Sequence, residues 1–230
     1  TEQANFNRAF ESLQKAESLD PESADTQLAL GKHFFARKDF RSAIERFQLA
    51  RRINPALSEV SFYQGKLFRL FDPKDTTTAM RYFEEAYSKD PQNYNAMAEW
   101  LKLKVILYEK MFAVKFLRNM MEKNPANADL LWVMGEVYSE SQEFNKAAYY
   151  YKKALDIEPK NSKVRLSLAQ ALTKIGKLEE AVAEYTMASS LNAKNGDGYY
   201  LAADILYQQK RYQEAQDLVL GLLKTVPNFP

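Results

Sequence analysis

Apolar residues recur every three or four positions along nearly the whole chain, a spacing that places them on one face of an α-helix. Residues 128–161 show the pattern most clearly, as two helical segments joined by a polar turn. The positions on the shared faces are Leu131, Met134, Gly135, Tyr138, Ala147, Tyr151 and Ala154. The pattern predicts two antiparallel helices in which small residues of one helix receive large residues of the other.

The same positions return along the chain with a spacing of 34 residues. A repeat of this length, built as helix–turn–helix, is typical of solenoid proteins. We predict one domain over residues 1–230, with a leading half repeat at residues 1–23 and six full repeats after it. The full repeats are predicted at residues 24–57, 58–93, 94–127, 128–161, 162–195 and 196–229.

At these positions the chain resembles the tetratricopeptide repeat (TPR) family. The matching residues of the repeat at 128–161 are Gly135, Tyr138, Ala147, Tyr151, Ala154 and Pro159, and Leu131 stands where the family has Trp. The resemblance implies an all-α fold, a right-handed α-solenoid or superhelix of antiparallel helix pairs. It also implies a concave groove, lined by the first helices of the repeats, that binds peptide segments of partner proteins.

Two repeats depart from the pattern. The second full repeat has a wider internal turn, and we expect Asp75 or Thr76 to cap the helix that follows it. In the third, Leu101 stands at the Gly position and Lys104 at the aromatic position. We expect Leu101 to push the neighbouring helix away, Lys104 to extend its ammonium group to water, and the superhelical curvature to change locally.

The last helix, predicted over residues 212–226, has apolar residues on more than one face. Leu220 and Leu223 point away from the face that packs on its own repeat. Solenoids need polar ends for solubility, so we expect these two residues to be covered by further chain or by a second copy, or to stay partly exposed. They are the candidates for an end interface and for a homo-oligomer.

Bulk composition excludes several classes of site. No apolar run approaches the ~20 residues of a membrane-spanning helix, and the first residues lack the basic and apolar regions of a signal peptide. The chain begins without Met and inside a repeat, so the alternative of a removed targeting segment is left open. A soluble, cytoplasmic protein is the default expectation. The absence of Cys excludes disulfides and thiolate metal sites, and the net charge of +2 does not by itself indicate nucleic acid or membrane.

We predict no enzymatic activity and no catalytic, cofactor or metal site. His33 is the single histidine and has the spacing of an ordinary helical residue between Lys32 and Phe34. The chain has neither a glycine-rich phosphate loop nor the HExxH pattern of zinc proteases. Binding is therefore the expected activity.

The resemblance to the TPR family places the groove-facing residues at three positions of each first helix. The polar residues at these positions are Lys32, Lys66, Arg69 and Lys102, followed by Glu136, Gln170 and Asp204. The apolar ones are Leu28, Phe35, Phe62, Trp132, Tyr200 and Tyr207. We expect the lysines to face an acidic part of a protein or peptide ligand, and the aromatic residues to hold its apolar anchors.

Two known TPR ligand sites are absent. Cochaperone domains that hold the carboxylate end of heat-shock chaperones use Lys, Asn and Arg where this chain has Leu28, Lys32, Tyr63, Asn95 and Glu99. The Asn ladder of the sugar-transferring enzymes is also missing. The carboxylate clamp and the Asn ladder are therefore not predicted.

The prediction is a non-catalytic protein-interaction scaffold. The alternatives are self-assembly through the apolar last helix, and a TPR segment of a larger signalling protein or enzyme. RNA binding is the weaker option, because the acidic C-terminal half interrupts a continuous basic track.

Overall fold

The computed structural model describes residues 2–192 and 196–225, which form thirteen α-helices and, within these ranges, no β-strand. The helices are α1 Glu2–Leu19, α2 Ala24–Ala36, α3 Phe40–Ile53, α4 Ser58–Phe71, α5 Thr76–Lys89, α6 Tyr94–Ile106, α7 Lys110–Lys123, α8 Ala128–Glu140, α9 Phe144–Ile157, α10 Ser162–Lys174, α11 Leu178–Leu191, α12 Asp197–Gln208 and α13 Tyr212–Thr225. The predicted all-α fold is confirmed. Each predicted full repeat contains one helix pair, and α1 occupies the leading half repeat. Val226, expected to end the last helix, lies outside the described residues.

The chain divides into two compact units, an N-terminal unit Thr1–Leu103 and a C-terminal unit Lys104–Pro230. The division falls inside α6, in the repeat that departs most from the pattern. A single domain and a local change in curvature stay predictions. No helix in the described part of the chain combines the length and the apolar character needed to cross a membrane.

A glycine on the first helix of a pair makes room for an aromatic ring on the second. A Cβ atom added at Gly65 would lie 2.7 Å from the Phe83 ring, and one added at Gly31 would lie 2.5 Å from the Phe47 ring. Such distances are shorter than side chains tolerate. The two rings are fully buried, so each ring packs directly against the backbone of the facing helix.

The residues at the glycine position and at the ring position differ among the repeats. The successive pairs are Gly31 with Phe47, Gly65 with Phe83, Leu101 with Leu117, Gly135 with Tyr151, Ala169 with Tyr185 and Ala203 with Val219. All three glycines stand with Phe or Tyr, whereas Leu101, the largest residue at the glycine position, stands with a Leu. At Gly31 and Gly65 the missing side chain leaves the room that the facing ring fills, as close packing requires.

The turns inside five of the six pairs share one backbone geometry. Each contains a residue with positive φ, and these residues are Lys38, Tyr108, Gln142, Gly176 and Lys210. The next amide donates to a carbonyl five residues back, for example from Glu143 to Tyr138 at 2.9 Å. A residue of positive φ together with this hydrogen bond forms the Schellman motif, which ends a helix. Only one of the five residues is Gly, which is the residue that adopts positive φ without strain.

Polar caps begin many of the helices. The side chain of Asn127 accepts from the Leu130 amide at 2.9 Å, and that of Asp75 accepts from the Thr78 amide at 2.9 Å. Asp75 thereby satisfies an amide that the first helical turn leaves without a partner. The expectation that Asp75 or Thr76 caps α5 is confirmed for Asp75.

Lys104 does not extend to water as expected. Its Nζ atom pairs with a carboxylate oxygen of Glu109 at 3.1 Å and lies 5.4 Å from the centre of the Phe112 ring. The expectation was wrong because a carboxylate five residues along the chain offers the ammonium group a closer partner than solvent. Leu101, the other unusual residue of this repeat, is fully buried.

We expect Gly65→Ala to lower the free energy of unfolding by about 1–3 kcal/mol, because the new methyl group would overlap the Phe83 ring. Urea denaturation followed by circular dichroism measures the change. Adding Phe83→Leu should recover part of the loss, since the two sites share one space. Gly221→Ala is the control, because a Cβ atom there would meet nothing within 4 Å. Equal losses at Gly65 and Gly221 would contradict the requirement for glycine beside the Phe83 ring.

We expect Gln142→Gly to raise the free energy of unfolding by up to about 1 kcal/mol, since glycine relieves the strain of a φ of 60° at an exposed turn. The same denaturation measurement applies. Gly176→Ala, at φ 77°, is the reciprocal control and should lower stability. A loss for Gln142→Gly would show that turn entropy outweighs backbone strain here.

Candidate functional site

The N-terminal unit has an open cleft of about 540 Å³ beside the ends of α2 and α4. Three of the predicted groove residues, Phe35, Lys66 and Arg69, line it together. The remaining lining residues are Ala36, Lys38, Phe40 and Leu70. We refer to this site, with these seven lining residues, as the basic cleft.

Lys66 lies at the centre of an aromatic cluster. Its Nζ atom is 4.9 Å from the centre of the Phe35 ring, 5.5 Å from that of Tyr63 and 5.6 Å from that of Phe62. Phe35 in turn packs edge to face on Phe40 and on Tyr63. Ring faces attract a cation, so the ammonium group is held in place while its side chain stays exposed.

All charged side chains that line the basic cleft are positive. Lys38, Lys66 and Arg69 are its only ionisable lining residues, and no carboxylate lines it. Among the described residues, none of these three cations forms an ion pair. An incoming carboxylate would therefore find three cations and four apolar side chains within one cleft.

The lysines of the predicted series do not have equal surroundings. Lys32 pairs with Glu59 at 3.0 Å, and Lys102 pairs with Glu99 at 2.6 Å. Both ammonium groups already face a carboxylate of the chain itself. Of the predicted basic residues, Lys66 and Arg69 therefore carry the charge that is available to a ligand.

Two predicted groove residues have core positions. Leu28 is only 7% exposed and belongs to the apolar core around Phe47, and Trp132 is only 5% exposed. They offer a ligand almost no surface. The first helices are packed on both sides at these positions. A residue at a groove-facing position of the family is therefore not always exposed in this chain.

In the C-terminal unit, Glu136 belongs to an internal hydrogen-bond network. Its carboxylate accepts from the Tyr151 hydroxyl at 2.7 Å and from the Ser167 hydroxyl at 3.0 Å. The Trp132 indole donates to Ser167 at 3.3 Å. Burial, and then the neighbouring Glu136 carboxylate, raise the pKa of Tyr151 far above its usual range. The network joins α8, α9 and α10, so Glu136 has a structural role.

The remaining predicted residues of this unit are exposed on α10 and α12. Tyr200 is 58% and Tyr207 is 64% exposed, and Tyr207 packs on Tyr212 at a ring distance of 5.2 Å. Asp204 accepts from Gln208 at 2.8 Å, and Gln170 is exposed. Leu220 and Leu223 of the expected end interface are 49% and 41% exposed.

Sequence reasoning missed Lys38, Phe40, Tyr63 and Leu70. Three of them lie at helix ends or in a turn, outside the positions that the family resemblance marks as groove-facing. The one signal was the concentration of aromatic and basic residues between positions 34 and 71. That signal does not show which side chains share a cleft.

His33 is a core residue. Its ring stacks on Phe10 of α1 at 5.1 Å, and it is 7% exposed. Burial, followed by the nearby Arg37 guanidinium, lowers the pKa of His33. Among the described residues, no group of three or more His, Asp or Glu side chains could hold a metal ion.

Two family models match the chain, at residues 2–58 and at residues 140–192, and both are described as the tetratricopeptide repeat. The first segment runs from α1 to the start of α4, and the second from the end of α8 to the end of α11. The chain belongs to the TPR family. The prediction of family and all-helical fold made from the repeat pattern is confirmed.

Two curated relatives match over almost the whole chain. The DnaJ homolog subfamily C member 3 homolog of Dictyostelium discoideum is 24% identical over 98% of this chain and 41% of its own length. The Hsp70–Hsp90 organizing protein of Triticum aestivum is 23% identical over 97% of this chain and 39% of its own length. The chain thus spans about two fifths of these relatives.

Two solved structures share the fold. A thermophilic TPR protein from Thermus thermophilus has a TM-score of 0.64 at 23% identity, and the match covers 80% of this chain and 100% of that one. The APC/C hetero-tetramer Cut9–Hcn1 has a TM-score of 0.58 at 16% identity, with 97% of this chain and 44% of that one covered. At these identities the likeness is one of fold.

We expect stability to fall as the pH drops through about 6.5, the usual pKa of an unfolded histidine. The folded pKa of His33 is lower, so the unfolded state binds the proton first and is favoured. The stabilisation that neutral His33 gives to the folded state is complete above pH ~6.5. It is lost as the pH falls from that value to the folded pKa. Urea denaturation between about pH 7.5 and 5 measures the loss. His33→Phe keeps the aromatic stack and should flatten the profile; an unchanged profile would assign the effect to other groups.

Proposed function

We propose that this TPR chain is a scaffold that binds an acidic, apolar segment of a partner protein in its basic cleft. TPR repeats are a typical non-catalytic protein-interaction module, and the name of one relative describes it as organizing two other proteins. The observation that carries the finer proposal is the cleft itself: three cations and three large apolar side chains line it, without a carboxylate.

The bound segment would combine two kinds of contact. An Asp or Glu side chain of the ligand meets the Lys66 ammonium group, which the rings of Phe35 and Tyr63 hold in place, so little side-chain freedom is lost on binding. An adjacent aromatic or branched side chain packs on Phe40 and Leu70. Exposed ion pairs contribute only about 0.2–1 kcal/mol each, so the apolar contacts supply most of the affinity and the charges set the register.

The proposal assigns no catalytic step to the chain. Its single histidine is buried against Phe10, where a substrate would not reach it. The partners of the relatives are not transferred either, since Leu28, Lys32 and Tyr63 stand where a chaperone-binding clamp needs other residues. Gln170, Tyr200, Asp204 and Tyr207 stay candidates for a second contact region, because all four are exposed.

Self-association is the second candidate function, and it rests on the exposure of Leu220 and Leu223 at the end of α13. Two large apolar side chains on one exposed helix end are typical of a surface that packs on another protein. Sedimentation at increasing concentration tests it: the mass should rise for the native chain and stay monomeric for Leu220→Glu with Leu223→Glu. A constant native mass would reject this candidate.

The proposed ligand can be tested without knowing the partner. A library of random twelve-residue peptides is selected on the native chain, and the enriched peptides should place Asp or Glu beside an aromatic or branched residue. We expect Lys66→Glu with Arg69→Glu to weaken their binding at least tenfold in fluorescence polarisation, because both cations of the cleft are reversed.

The matched control is Arg52→Glu with Lys74→Glu. It makes the same charge change in the same unit, at exposed residues outside the cleft. Its affinity should equal that of the native chain. Enriched peptides without acidic residues, or equal losses in both double variants, would overturn the proposal.

A further inference from the structure

The turn between α6 and α7 presents an exposed apolar tip, which we define as Leu107, Tyr108, Met111 and Phe112. Their side chains are 37%, 99%, 78% and 45% exposed, in that order. Single exposed apolar residues are common, but a cluster of four is typical of an interaction surface. The tip contains none of the residues of the basic cleft.

The other turns of the same geometry provide an internal comparison. They carry a residue of positive φ at the place of Tyr108, so the corresponding positions can be matched one to one. The residues at those positions are Arg37, Lys38, Arg41 and Ser42; Ser141, Gln142, Asn145 and Lys146; Ile175, Gly176, Glu179 and Glu180; and Gln209, Lys210, Gln213 and Glu214. Ile175 is the one large apolar residue among them. The turn geometry therefore does not require apolar residues, and the tip needs another explanation.

The backbone and two ion pairs hold the tip in place. The Glu109 amide donates to the Lys104 carbonyl at 2.8 Å, which closes the turn at Tyr108. The Glu109 carboxylate pairs with the Lys104 ammonium group, and Lys110 pairs with Glu143 of the next helix pair. A surface ordered before binding loses little conformational entropy when a partner arrives.

The charge beside the tip is positive. Lys115 and Arg118 follow Met111 by four and seven residues, so the three side chains share one face of α7. Both cations are exposed, and neither forms an ion pair with a described residue. The partner surface is therefore expected to combine an apolar depression with carboxylates at its border.

We propose that the apolar tip inserts into an apolar groove of a partner protein, with carboxylates at the border of that groove facing Lys115 and Arg118. A protein groove fits better than an anionic membrane surface. Glu109 lies within the tip, between Tyr108 and Lys110, so insertion into a membrane would carry its ion pair with Lys104 to the depth of the apolar side chains, where charged groups are costly. The nearest cations, Lys104 and Lys110, are already paired inside the protein.

The test is site-specific photo-cross-linking with the full chain in the cell that makes it. A benzophenone amino acid replaces Tyr108 in one variant and Gln142, which has the same backbone geometry, in a matched control. We expect a cross-link to one protein from position 108 and none to that protein from position 142. Mass spectrometry should locate the cross-linked atom in an apolar groove bordered by Asp or Glu.

The purified pair then tests the chemistry. Leu107→Ser, Tyr108→Gln and Met111→Asn together copy the residues of the α8–α9 turn, and Lys115→Glu with Arg118→Glu reverses the basic face. Each change should weaken binding at least tenfold with an unchanged melting temperature, because exposed substitutions rarely alter stability. Lys152→Glu with Lys153→Glu on α9 is the charge-matched control and should leave binding unchanged.

Four outcomes would overturn the inference: no cross-link from position 108, a cross-link to a second copy of this chain, cosedimentation with vesicles of phosphatidylserine and phosphatidylcholine that the triple substitution abolishes, or unchanged affinity after reversal of Lys115 and Arg118. The substitutions of Lys66 and Arg69 should not affect the cross-link. The tip and the basic cleft can therefore fail independently.

Discussion

Contact between an aromatic ring and the backbone of the facing helix is the interaction on which three of the helix pairs depend. Gly31 and Gly65 leave the space that Phe47 and Phe83 fill, and no other residue could take the glycine's place without moving the ring. Burial of one such ring contributes roughly 1.5–3 kcal/mol, a large share for a pair of helices with fourteen residues or fewer each. The turns and caps then fix the geometry that this contact establishes.

Most of the fold could be predicted from the sequence because the repeat spacing, the glycines and the ring positions all depend on short-range packing. The helix pairs were found at the expected residues, and Asp75 caps α5 as its position indicated. Lys104 was misjudged because the choice between water and a neighbouring carboxylate depends on side-chain geometry. Periodicity identifies a face of a helix, but it does not show which polar group lies within reach of that face.

The candidate site was predictable only in part for the same reason. Phe35, Lys66 and Arg69 do share a cleft, whereas Leu28 and Trp132 are buried and Lys32 and Lys102 face carboxylates of the chain itself. Of the four basic residues that the sequence predicts for the groove, only Lys66 and Arg69 therefore carry a charge that is available to a ligand. Lys38 and Leu70 were missed because turns and helix ends, where small changes in length decide what is exposed, do not follow the repeat pattern.

The fit of a glycine on one helix to an aromatic ring on the next has a consequence for how such a chain changes over time. A first helix carrying Leu101 could not be joined to a second helix carrying Phe83 without overlap, and one carrying Gly65 would leave a void beside the buried Leu117. Single helices are therefore poor units of exchange, and recombination that breaks a pair would be selected against. Duplication or loss of whole pairs preserves every such match, so the helix pair is the natural unit by which the array lengthens or shortens.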